Sequence, residues 1–143
     1  MVSKNVETLR AAYESWNNRD FDSLVQNLSD NLVYVDGPTD RRITGKGGFR
    51  TYVQEWAKAM SDGRITKPEF IDAGDTVVAQ FTGEGTNDGP WVGFPPTHKW
   101  VSFAFCEIWK FDKNGRMLSG NCYYDQYSIL TQLGHVKPLP QAA

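Results

Sequence analysis

The hydrophobic pattern of this chain changes period near residue 63, from mainly helical spacing to strand alternation, and that change decides the class of fold. Val6, Leu9, Tyr13 and Trp16 share one helical face, ended by Asn17-Asn18-Arg19. Asp20 suits an N-cap for a short second helix carrying Phe21, Leu24, Val25 and Leu28. A lone early strand, Asn31–Asp36, runs into the turn Asp36-Gly37-Pro38. After a Gly45-Lys46-Gly47-Gly48 loop, Phe49, Tyr52, Val53, Trp56, Ala57 and Met60 keep one face of a third helix, stopped by Ser61-Asp62-Gly63. Strands Arg64–Ile71 and Thr76–Gly85 follow, then a hairpin of Lys99–Phe111 and Met117–Tyr127 around Asp112-Lys113-Asn114-Gly115-Arg116. Gly83 and Gly85 suit a bulge that curls the sheet. A short helix reaches Leu133 with Gly134 as its C-cap, and His135–Ala143 is a tail crossing the surface. Helices first, then consecutive antiparallel strands, predict an α+β fold in one domain, 1–143: a curved antiparallel sheet packed on one face by three N-terminal helices.

The last hairpin concentrates the polar chemistry. Pairing Asp112 with Arg116 places Glu107 opposite Asn121, Phe105 opposite Tyr123 and Phe103 opposite Asp125. Alternation then gathers Phe103, Phe105, Glu107, Trp109, Asn121, Tyr123 and Asp125 on one face. The other face carries Ala104, Cys106, Ile108, Gly120, Cys122 and Tyr124. An aromatic face holding acids reads as a pocket wall, and a small apolar face reads as packing. Cys106 and Cys122 fall opposite each other, within disulfide reach, while a reducing cytoplasm favours two buried thiols.

Composition narrows the function. A net charge of −2 without a long basic run argues against nucleic acid. No apolar stretch approaches the ~20 residues of a membrane span, and Met1-Val2-Ser3-Lys4-Asn5 lacks a signal-peptide core, so a cytoplasmic protein is expected. His98 and His135 stand in loop-like segments without metal-ligand spacing, so no metal is expected.

The segment Gly89-Pro90-Trp91-Val92-Gly93-Phe94-Pro95-Pro96-Thr97-His98-Lys99 resembles the G-x-x-x-G-x-P-P-T-G-K stretch of SnoaL-like polyketide cyclases, or ester cyclases. Gly115-Arg116-Met117, Tyr124-Asp125-Gln126 and Leu130-Thr131-Gln132-Leu133-Gly134 are similar to that family's later motifs, in order. Ser61-Asp62-Gly63-Arg64-Ile65 is similar to its loop after the third helix. The resemblance implies a nuclear transport factor 2-like cone with a deep cavity, a homodimer formed through the sheet, and intramolecular aldol chemistry on a polyketide ester without metal or organic cofactor. It also implies that the family's acid/base aspartate falls on Cys122, its assisting histidine or glutamine on Glu107 and Phe105, and a second acidic position on Asp125. His98 stands where the family prefers Gly.

Glu107 and Asp125 are the candidate catalytic acids. Two readings of Glu107 weigh equally: a desolvated carboxylate poised as acid or base, or one partner of a Lys or Arg ion pair. Asp125 is either a pocket acid or an N-cap. Asp36 reads as a turn residue, Arg41-Arg42 as a solvated turn, and Cys122 as a structural thiol. Tyr13, Trp16, Tyr52 and Trp56 from the helices, with Phe103, Phe105, Trp109, Asn121 and Tyr123 from the hairpin, are the candidate substrate contacts. The expected ligand is an apolar oxygenated small molecule. The rival readings are a non-catalytic hydrophobic-ligand binder and, ranking lower, an epoxide hydrolase, which needs an Arg between two Asp where no inward strand position supplies one.

Overall fold

A computed structural model describes residues 2–141; Met1, Ala142 and Ala143, the ends of the expected domain and tail, lie outside the described residues. The elements are α1 (Lys4–Asn17), α2 (Phe21–Gln26), β1 (Leu28–Asp36), β2 (Arg41–Thr44), α3 (Gly45–Ala59), β3 (Arg64–Asp72), β4 (Thr76–Thr86), β5 (Trp100–Phe111), β6 (Met117–Tyr124) and α4 (Gln126–Leu133). They build a mixed α+β fold with a six-stranded sheet in the order β2-β1-β6-β5-β4-β3. Pairing is antiparallel except between β1 and β6, which run parallel.

Local chemistry explains the boundaries. Ser3, Asp20 and Asp125 each accept a backbone N–H at a helix start, and Gly134 ends α4 at φ 88°. Leu28 leaves the second helix to open β1, because Asn27 caps that helix first. Arg41 and Arg42 are strand rather than turn, paired with Asp36 and Val35, and Gly45-Lys46-Gly47-Gly48 is the first turn of α3 rather than a loop. No bulge forms at Gly83 or Gly85, since β4 pairs with β5 without a register shift. Gly83 instead makes room for Phe103, whose ring would stand 2.8 Å from an added Cβ. The bulge forms instead in β3, where the register shifts between Thr66 and Glu69 around Lys67 at φ 53°.

A second shift corrects the expected hairpin. Phe111 pairs with Met117, but Lys110 pairs with Ser119, leaving Leu118 as the extra residue. Glu107 therefore faces Cys122 and Phe105 faces Tyr124. One inserted residue exchanges the two faces of β6. Gly120, Cys122 and Tyr124 join the inner face, where Gly120 lets the Trp109 and Tyr34 rings approach within 2.8 Å of where a Cβ would stand. Asn121 and Tyr123 turn outward, Tyr123 being half-exposed. Cys106 and Cys122 are not opposite each other, and both are free thiols.

The core lies between the inner sheet face and α1 and α3, joining Leu9, Tyr13, Phe49 and Tyr52 to Val77, Ala79, Phe81 and Trp109. The tail folds back: His135 packs tilted against Phe94 with ring centroids 4.7 Å apart, and Tyr127 donates its hydroxyl to the Lys137 carbonyl. Among the described residues no helix is long and apolar enough to cross a membrane.

Candidate active site

A cavity of about 100 Å³ opens between helices and sheet. Leu9, Tyr13 and Trp16 of α1, with Phe49, Tyr52, Val53 and Trp56 of α3, form its helical wall. Tyr34, Phe81, Phe103, Phe105, Glu107 and Trp109 form the sheet wall. Its rim includes Gly63 and Arg64. Of the expected contacts, Tyr13, Trp16, Tyr52, Trp56, Phe103, Phe105 and Trp109 meet here, whereas Asn121 and Tyr123 belong to the outer face because of the bulge.

Glu107 is buried on this wall, at 6% exposure. Alternation along β5 puts it in phase with Phe103, Phe105 and Trp109, all buried. Its partners are hydroxyls rather than a cation: Tyr13 donates to Oε1 at 2.7 Å and Tyr34 donates to Oε2 at 2.5 Å. Within the chain, the reading of Glu107 as paired with a Lys or Arg of a neighbouring strand is thereby corrected. Burial raises its pKa above the ordinary glutamate value, and donation from Tyr34 and Tyr13 offsets part of the rise. A carboxylate offers about four lone-pair positions, so acceptor capacity remains beside the cavity. Both tyrosines hold their protons firmly, their own pKa values raised by burial and then by the Glu107 charge.

Asp125 is not in the cavity. Its side chain accepts the Ser128 N–H at 3.0 Å and caps α4. Its one-residue displacement from the inner face, and the onset of helix there, account for the difference. Tyr34 was legible as a strand residue in phase with Leu32, but strand phase alone did not aim its hydroxyl at Glu107.

Asp36, a turn residue by its sequence, is a second buried carboxylate. Asp36, 2% exposed, accepts the Tyr52 hydroxyl at 2.7 Å, the Tyr124 hydroxyl at 3.1 Å and the Thr39 N–H at 3.3 Å. It is a turn residue by position but a core acceptor by packing, and only the shifted register brings Tyr124 to it. Tyr52 also meets the Cys122 sulfur at 3.4 Å. Burial pushes the Cys122 thiol up to about 12, so it stays protonated and inert as a nucleophile. Arg64 is a cation at the cavity rim that strand phase did not place there. No arginine bridges Asp36 to Glu107, whose partners are tyrosines and a backbone amide. Among the described residues no cluster of three or more His, Cys, Asp or Glu could hold a metal.

Comparison with known proteins agrees with this architecture. A candidate SnoaL-like polyketide cyclase from Jannaschia sp. CCS1 superposes with a TM-score of 0.86 at 18% identity, covering 96% of this chain and 99% of that one. TsrD from Streptomyces laurentii gives 0.81 at 22% identity, over 95% and 100% of the two chains. AclR, a candidate hydroxylase from Streptomyces galilaeus, gives 0.82 at 19% identity, over 96% and 85%. These likenesses establish the nuclear transport factor 2-like fold. No curated protein sequence matches the chain. The family model of SnoaL-like polyketide cyclases matches residues 6–133, and the chain belongs to that family. His98 adopts φ 61°, the left-handed region that favours glycine, and is not among the residues lining the cavity.

Proposed function

We propose that the protein is an enzyme of cyclase type in which Glu107 moves a proton to and from carbon beside a carbonyl of an apolar ligand. The observation that carries this reading is a buried carboxyl with no cation beside it, held between the Tyr13 and Tyr34 hydroxyls and lining an apolar cavity. The two hydroxyls fix the carboxyl plane, and its free lone pairs are left for a substrate proton. Aldol-type cyclisation and isomerisation both begin with this step, and neither requires a metal or organic cofactor. A cavity of about 100 Å³ has room for about three waters. Drug-sized ligands occupy pockets of roughly 300–1,000 Å³. The reading therefore favours a small carbonyl compound, or the end of a larger one that enters past Trp56 and the Gly63–Arg64 rim.

Cyclohexanone in D2O provides the test, because loss of its α-proton signal reports proton abstraction directly. Wild type should accelerate exchange and Glu107→Gln should not. Equal rates for both proteins would overturn the catalytic reading. The binding-only alternative rests on the same hydroxyl contacts, which satisfy Glu107 without substrate; it predicts ligand uptake with no exchange in either protein.

A homodimer through the outer sheet face belongs to the same proposal. That face is poor in charge and carries Gln80, Ser102, Ala104, Cys106 and the half-exposed Tyr123. Tyr123→Glu should convert a dimer to a monomer in light scattering; a wild-type monomer would remove the idea.

A further inference from the structure

We propose that the Trp16 indole is the gate of the cavity and that Arg19 latches it shut, so that this pair sets the size of ligand admitted. The inference rests on the reading of the cavity as the ligand site and names what limits entry to it. Trp16, Met60 and Gly63 all line the cavity. Trp16 stands on the last turn of α1, half-buried, and a Cβ on Gly63 would lie 3.3 Å from its Cη2 atom. The ring edge thus closes against the turn between α3 and β3. Over the face of the ring lies the Arg19 guanidinium, 4.1 Å from the ring centroid. The same guanidinium donates to four carbonyls: Trp16 at 3.0 Å, Met60 at 3.3 Å, Ser61 at 3.0 Å and Gly63 at 2.9 Å. One side chain therefore clasps both lips of the mouth.

The backbone at Arg19 sets this clasp apart from an ordinary surface contact. Arg19 follows the C-cap of α1 at φ 58°, a position where glycine is the usual residue because a Cβ is strained there. An arginine bears that strain, and its contacts across the mouth offset it. Both lips are otherwise fastened. The Asn17 side chain bonds the Ile65 carbonyl and N–H of β3 at 2.9 and 2.8 Å. Asp62 accepts the Thr86 N–H at 2.7 Å, and Asp88 accepts the Ser61 N–H at 2.9 Å. The part left to move is the Trp16 side chain, whose own bond, from Nε1 to the Val53 carbonyl, is 3.4 Å long and beyond the usual range. A cation over a partly exposed ring shifts an open–closed equilibrium by about two- to fivefold, which biases the gate without locking it. A ligand that fits beneath the closed ring binds whatever the latch does. One that needs the ring displaced binds with an affinity scaled by the open fraction. The pair thus selects small carbonyl compounds over larger ones at the mouth.

The test titrates cyclohexanone and the bicyclic trans-2-decalone, followed by their NMR signals, into full-length wild type, Arg19→Gly, Trp16→Ala and the double variant. Glycine suits the Arg19 backbone, so Arg19→Gly removes the latch without distorting the turn. Wild type should bind cyclohexanone more tightly, despite the larger apolar surface of the decalone. Arg19→Gly should tighten decalone binding by about threefold with cyclohexanone unaffected, and Trp16→Ala should tighten it by about tenfold. In the Trp16→Ala background Arg19→Gly should add nothing, because it acts through that ring. Equal wild-type affinity for the two ketones, no binding of either by any of the proteins, an unchanged preference in Arg19→Gly, or an equal effect of Arg19→Gly in both backgrounds would each overturn the proposal. Wild type and Arg19→Gly decide the matter even if Trp16→Ala fails to fold. A changed preference without α-proton exchange would remove the catalytic role of Glu107 and leave the gate standing; exchange with an unchanged preference would do the reverse.

Discussion

Glu107 and Asp36 are both buried carboxyls held by tyrosine hydroxyls, yet they occupy opposite kinds of environment. Glu107 stands mid-strand on the cavity wall, with a hydroxyl on each oxygen and room beside it. Asp36 ends β1, takes donors from α3, β6 and the following turn, and is not part of the cavity lining. The difference teaches that burial and hydrogen bonding do not by themselves mark a reactive acid. What sets Glu107 apart is spare acceptor capacity beside an empty volume. Asp36 joins elements that the chain must bring together, whereas Glu107 keeps spare acceptor capacity on the cavity wall.

Substitutions should separate the two sites. The largest effect is expected from Glu107→Gln, which keeps size and one acceptor oxygen while its amide NH2 meets the other tyrosine hydroxyl: α-proton exchange should fall by about 10²–10⁴, far more than the accompanying loss of stability explains, with an unchanged circular dichroism spectrum. Asp36→Asn should do the reverse. It turns an amide NH2 toward groups that already donate, and should cost about 1–3 kcal/mol in urea unfolding. If Asp36→Asn abolishes exchange in protein of wild-type stability, the division of roles is wrong. Asp125→Ala should cost about 1 kcal/mol through the lost α4 cap and leave exchange unchanged; lost activity at wild-type stability would return Asp125 to the catalytic list.

The pH dependence sharpens the same contrast. Because burial raises the Glu107 pKa in the folded chain, the folded protein keeps a proton that the unfolded chain releases just above the ordinary value of 4.5. That contribution to stability is present below 4.5 and is lost as pH rises through the higher folded pKa. Thermal unfolding of Glu107→Gln should therefore depend less on pH across this interval than wild type. Exchange should move oppositely, rising with pH as the base form appears. A rate that falls across the interval would assign Glu107 the acid role instead.

Much of the architecture was legible because hydrophobic period is a local property. Val6, Leu9, Tyr13 and Trp16 mark α1, and the Phe49–Met60 pattern marks α3, without reference to any other segment. Glu107 was legible for the same reason, since its phase with Phe103, Phe105 and Trp109 is set within one strand. Asn121, Tyr123 and the pocket reading of Asp125 were misplaced because their facing depends on pairing between strands, and Leu118 inserts one residue into that pairing, whereas the N-cap reading of Asp125 needed only local sequence. Asn-Gly at the hairpin tip signals a turn but says nothing of a bulge beyond it. Asp36 was hidden differently: a strand-end Asp before Gly-Pro has the look of a turn, and its donors Tyr52 and Tyr124 come from distant sequence. Period reads faces within an element; it does not read which elements meet.

The central claim, that Glu107 is a desolvated acid open to a ligand, is tested most directly by the 13C resonance of its side-chain carboxyl. Followed against pH with and without cyclohexanone, that signal should titrate above the usual glutamate range and shift its midpoint when the ligand binds. A midpoint at the ordinary value, indifferent to ligand, would contradict the account.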